Sequence, residues 1–105
     1  MNQEKIVVYA DPDLADDIPW YLGQVKGYTE AIEKAMGSVD FETIEDAGHR
    51  MKGSGETFGF DAISEMGKSL EQSAKKKDLD EIRKKLKELE RYIEVVEVVY
   101  EEAES

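Results

Sequence analysis

Two stretches of this chain repeat apolar residues in strictly alternating steps of three and four. Ala15, Ile18, Leu22, Val25, Thr29, Ile32 and Met36 form the first. Leu79, Ile82, Leu86, Leu89, Ile93, Val96 and Tyr100 form the second. A helix places such residues along one stripe, so each predicts an amphipathic helix with a bundle seam. Between them lie two shorter runs: Phe41, Ile44, Ala47, Met51 and Phe58, then Ile63, Met66, Leu70 and Ala74. The pattern predicts four helices, at about 13–36, 41–55, 62–76 and 79–102. Short links between four amphipathic helices give an all-α, antiparallel up-down four-helix bundle.

Punctuation residues agree with these bounds. Asp11 before Pro12 reads as an N-cap followed by a first-turn proline. Pro19 is a point where the first helix could break. Gly37-Ser38-Val39 ends that helix, and Asp40 opens the second. Gly59 breaks the chain, and Asp61 can cap the third helix. Asp78 with Glu81 resembles a capping box for the fourth. Lys75, Lys76 and Lys77 suit the negative end of the third helix dipole. Residues 1–10 form an extended lead: Ile6, Val7 and Val8 favour a strand, but no second strand is visible to pair with them. Residues 11–102 form the bundle, and residues 1–105 one domain. Val95, Val98 and Val99 widen the apolar face of the last helix, to cover the lead or the bundle end. A dimer contact there stays open, although a monomer is expected.

Composition narrows the function. The chain has 105 residues, 40% hydrophobic and 37% charged, which suits a single helical core. A net charge of −11 argues against binding nucleic acid or an anionic membrane. No apolar run approaches membrane-spanning length. The N-terminus is too polar and too short for a signal peptide. Cysteine is absent, so disulfides and thiolate metal sites are excluded. A reducing, cytoplasmic setting is expected.

The only histidine, His49, lies in the second helix. It falls roughly 150° from the centre of that helix's apolar sector, so it points to water. Lys52 and Gly53 share its face at i+3 and i+4. A histidine ring in water titrates at about 6.5, so a neutral imidazole is a competent nucleophile near neutrality. Lys52 would place positive charge beside that nucleophile. Gly53 would leave room for a docking partner. Gly48, Gly53 and Gly55 each weaken the helix by about 0.5–1 kcal/mol relative to alanine. Close approach of another body explains such a cluster. For Gly48, on the apolar side, close helix packing is the better account.

The string His49-Arg50-Met51-Lys52-Gly53, with Gly59 behind it and Leu70-Glu71 on the third helix, resembles the phosphoacceptor motif of histidine phosphotransfer (HPt) domains. The likeness runs from about Pro12 to Ile93. It implies that His49 carries a phosphoryl group, Lys52 stabilises it and Gly53 clears space. Glu71 and Gln72 occupy the region where some relatives place a side chain near the acceptor, and sequence does not choose between them. Lys75 could help neutralise phosphate. Trp20 and Tyr21 are candidates for docking, since one of the two must face outward. The implied partners are a response-regulator receiver domain, a sensor histidine kinase, or both. Such a domain is a carrier without catalysis of its own, and magnesium belongs to the receiver, so no cofactor is expected on this chain. The outer nitrogen Nε2 is the expected acceptor. Glu56 to Phe60 also looks like the HPt domain of chemotaxis kinases, so a piece of such a kinase or of a hybrid sensor kinase is one alternative. Another is an adaptor or structural bundle without phosphotransfer. Glu45 and His49 have ligand-like spacing, but one histidine without a Glu-x-x-His pair makes a carboxylate metal site a poor reading.

Overall fold

A computed structural model describes residues 5–101. Its elements are strand β1 (Ile6–Ala10), a 3-10 turn (Pro12–Leu14), helices α1 (Asp17–Gly37), α2 (Phe41–Thr57), α3 (Asp61–Lys75) and α4 (Leu79–Val95), and strand β2 (Val96–Tyr100). The four helices form the expected bundle. Its core includes Ile18, Tyr21, Val25, Ile32, Ile44, Met51, Phe60, Ile63, Leu70, Ile82 and Leu89, each at most 2% exposed. Among the described residues no helix is long and apolar enough to cross a membrane.

The helix boundaries follow from their caps. Asp40 accepts from the Thr43 amide at 3.2 Å and from the Thr43 hydroxyl at 2.6 Å. Asp78 accepts from the Glu81 amide at 3.1 Å. Each follows directly on a helix end closed by a left-handed residue, Val39 (φ 54°) and Lys77 (φ 56°). The amides of Asp40 and Asp78 reach back to the carbonyls of Ala35 and Ser73. One aspartate thus closes a helix with its main chain and opens the next with its side chain. Left-handed Val39, not Gly37, makes the first reversal. Gly59, at φ 84°, makes the one after α2, where a side chain would be strained.

Several expectations need correction. Pro19 does not break α1. It is that helix's third residue, where its missing N–H has no intrahelical partner to lose. The discontinuity falls earlier: Asp11 caps the 3-10 turn, accepting from the Asp13 amide at 2.9 Å, and α1 begins at Asp17. Asp61 does not cap α3; it is the first helical residue, and Phe60 holds the cap position.

The last helix ends at Val95, and Val96–Tyr100 is a strand paired in parallel with Ile6–Ala10. Glu102, the predicted end of that helix, lies outside the described residues, as do residues 1–4 of the lead. Val96 and Tyr100 sit where the helical seam would continue, which concealed the strand. β-Branched Val95, Val96, Val98 and Val99 favour extended backbone, and pairing with β1 satisfies main-chain groups of both segments. Ile6, Val8, Ala10, Val96 and Val98 pack against the core, while Val7, Tyr9 and Val99 face out. The lead therefore has its second strand.

Candidate functional site

Helices α2 and α3 come close enough for backbones to touch, and glycine permits it. A Cβ on Gly48 would lie 2.6 Å from the Glu71 amide nitrogen and 2.7 Å from the Gly67 carbonyl oxygen. One on Gly67 would meet the Gly48 carbonyl oxygen and the Lys52 amide nitrogen, each at 2.7 Å. Gly55 similarly faces the Ser64 amide at 2.5 Å. Close packing is therefore the role of Gly48, as its place on the apolar side predicts. Gly67 was not singled out from sequence. Its signal was there: a glycine between Ile63 and Leu70 on the apolar face of a helix. The Ser64 hydroxyl locks the same crossing, donating to the Lys52 carbonyl at 2.6 Å.

This close crossing places Glu71 of α3 under the exposed face of α2. The Glu71 side chain is only 9% exposed. Its Oε2 lies 2.8 Å from His49 Nδ1, and its Oε1 accepts from Lys52 Nζ at 3.1 Å. Burial disfavours the Glu71 carboxylate most strongly. The hydrogen bonds from Lys52 and His49, with the charges of Lys52 and Lys75, outweigh it and hold its pKa below the ordinary glutamate value. An ionised carboxylate can only accept, so Nδ1 must carry the proton in this contact. In a neutral ring the lone pair then resides on Nε2. That nitrogen has no partner among the described residues, and the His49 side chain is 64% exposed.

The predicted site residues separate clearly. His49, Lys52 and Glu71 form one cluster. Lys75 is exposed on the last turn of α3 and acts on Glu71 through its charge. Gln72 is exposed and lines a different groove, with Ser69, Ser73 and Lys76. It is not beside His49, because one residue along a helix turns the side chain by about 100°. Gly53 opens onto empty space, with no atom within 4 Å of a Cβ built there.

Of the two aromatic candidates, only Trp20 is a surface residue, at 61% exposure. Tyr21 is 2% exposed and cannot dock a partner. It stacks on Phe58 with centroids 4.4 Å apart, and its hydroxyl lies 2.8 Å from that of Ser54. Burial, partly offset by that bond, raises its pKa. Trp20 meets Phe58 from outside at 6.5 Å.

On the other flank of His49 is an open groove of about 650 Å³ lined by Asp40, Glu42, Thr43, Glu45, Asp46 and Glu71. Among the described residues no group of histidine, aspartate or glutamate is arranged to hold a metal ion.

The site is thus an exposed imidazole on a four-helix bundle, held by a buried carboxylate of the neighbouring helix. The Hpt domain model matches residues 18–98, most of the chain. The chain therefore belongs to the Hpt domain family, whose members transfer phosphoryl groups through histidine in phosphorelays and interact there with receiver domains and kinases. Hpt domains are phosphocarriers rather than catalysts. No curated protein and no solved structure matches closely enough to add to this.

Proposed function

We propose that His49 is the phosphoacceptor of this domain, and that it exchanges a phosphoryl group with the aspartate of a response-regulator receiver. The observation that carries this reading is the 2.8 Å contact between Glu71 and His49 Nδ1, which leaves Nε2 as the outward nucleophile. The Nε2 lone pair attacks phosphorus of the receiver's acyl phosphate. The bond from phosphorus to the aspartate oxygen breaks, and the aspartate leaves as a carboxylate. As the new bond forms, the ring gains positive charge. Glu71 on Nδ1 is placed to balance it, and Lys52 to offset the charge on the phosphoryl oxygens. The reverse path returns the group to a receiver. Magnesium is assigned to the receiver's pocket and not to this chain.

Two further features support the reading. Open space at Gly53 lets the partner's active site close over the ring. The carboxylates of Glu45 and Asp46 beside His49 give no stabilisation to a phosphoryl dianion, which favours passing it on. Trp20, exposed on α1 beside Phe58, offers a docking partner an apolar contact. The direct test is to mix the protein with a phosphorylated receiver domain and follow label onto this chain. Transfer should be reversible, and the product acid-labile and base-stable. An acid-stable product would overturn the proposal.

A further inference from the structure

Among the described residues strands β1 and β2 form a two-stranded sheet, so there each has an open edge. Parallel sheets are ordinarily covered, and two strands alone are marginal in water. Here the outer face shows Val7 at 43%, Tyr9 at 65% and Val99 at 39% exposure. The Ala10 carbonyl accepts from the Glu101 amide at 3.1 Å, so Ala10, in register with Tyr100, turns its main chain towards β2. Main-chain direction alternates along a strand. Ile6 and Val8 therefore also face β2, while the N–H and C=O groups of Val7 and Tyr9 face the open edge.

We propose that β1 is a homodimer interface, pairing antiparallel with β1 of a second copy about a two-fold axis at Val8. Three observations select this occupant and register. Pairing about Val8 sets Val7 opposite Tyr9 of the other copy, and each residue has its hydrogen-bonding groups at the open edge. It puts a β-branched side chain against an aromatic one twice over, a favourable cross-strand pair. It also sets Lys5, which pairs with Glu97 of its own chain at 3.5 Å, opposite Asp11 of the other copy, so at both ends of the ladder the lysine lies between two carboxylates. Asp11 is still extended (φ −66°, ψ 128°), so the ladder can reach it. The β2 edge is the poorer choice: pairing about Val98 also sets Val96 opposite Tyr100, but it brings in Glu97 and Glu101 with no basic residue of the second copy opposite either. Helix α2, with His49, packs chiefly against α3 and α1.

The edge is five residues long and each chain carries a net charge of −11, so the dimer is weak, on the order of 0.1–1 mM. Added salt strengthens it by screening like charge. The test is sedimentation equilibrium of the full chain over a concentration series, with amide exchange measured in the same samples. The mass should rise towards twice the monomer, while the Val7 and Tyr9 amides become slower to exchange with concentration and the Val8 amide does not change. Tyr9→Pro removes one outward N–H and leaves the β1–β2 ladder whole. It should weaken association at least about tenfold. A mass that stays monomeric at about 1 mM overturns the proposal. So does concentration-dependent protection of Val96, Val98 and Tyr100 instead, or a dimer unchanged by Tyr9→Pro. If that variant does not fold, the amide pattern of the unaltered chain decides alone.

Discussion

Glu71 of α3 holds Nδ1 of His49 of α2 at 2.8 Å, and with its other oxygen it holds Lys52 at 3.1 Å. One buried carboxylate therefore sets the ring's tautomer and keeps the nearest cation beside it. The contact exists because two glycines, Gly48 and Gly67, let the helices approach to backbone distance. The chemistry of an exposed residue thus depends on a crossing beneath it.

Removing the carboxylate should separate orientation from folding. In Glu71→Ala, His49 and Lys52 lose a partner but both stay in contact with water. Stability should fall by about 1.5–3 kcal/mol, the range for hydrogen bonds to charged groups. Phosphoryl acceptance should fall about tenfold or more as the ring samples both tautomers. Nitrogen chemical shifts of the imidazole would report the tautomer directly. A ring that keeps its proton on Nδ1 in the variant would show that Glu71 is not what sets it.

The glycines of α2 should divide into two kinds. Gly48→Ala drives a methyl into the Glu71 backbone and should cost more than about 2 kcal/mol, as overpacking against a fixed backbone does. Gly53→Ala meets open space and should raise stability by about 0.5–1 kcal/mol. A long residue at 53 should slow transfer while leaving that gain intact. Thermal melts and transfer rates on the same three variants check this. Equal stability changes at 48 and 53 would be inconsistent with the structure.

Acid should act on the bundle in two opposing directions. Burial and the neighbouring Glu33 raise the pKa of Glu90 in the groove between α1 and α4, where Glu30, Glu94 and Lys26 also lie and Lys87 opposes the shift. A carboxyl with a raised folded pKa binds its proton more readily when folded. Its contribution should therefore grow as pH falls from neutrality towards that pKa. Asp40 is lowered, chiefly by its hydrogen bonds from Thr43, and Glu71 is lowered as well. Their contributions are whole above the unfolded carboxylate range, about 4, and are lost as pH drops through their folded values. Glu90→Gln should raise stability at pH 7 by a few tenths of a kcal/mol, about the scale of exposed charge pairs, and abolish the gain on mild acidification. Denaturation midpoints from about pH 7 to about pH 3 would show it.

Much of this was readable in the sequence because helical period and caps are local signals. The seam from Ala15 to Met36 and the exposed face of His49, Lys52 and Gly53 needed only the angle per residue. What was hidden depended on phase or on distant partners. Choosing Glu71 over Gln72, or Trp20 over Tyr21, requires the rotation of one helix against another, which adjacent residues do not reveal. Val96–Tyr100 continues a helical stripe and also suits a strand; only the distant segment Ile6–Ala10 decides between them. Gly67 acquires meaning only opposite Gly48.

The central claim, that Nε2 of His49 is the acceptor, is tested most directly by locating the phosphoryl group. The protein should be loaded from a phosphorylated receiver, and phosphorus and nitrogen resonances recorded beside those of His49→Gln. The account predicts a single acid-labile phosphohistidine, bonded through Nε2, with Nδ1 still protonated against Glu71. It also predicts that His49→Gln takes up no label while keeping its helical signal and melting behaviour, because an exposed side chain contributes little to packing. A phosphoryl group on Nδ1, or label persisting in His49→Gln, would contradict it.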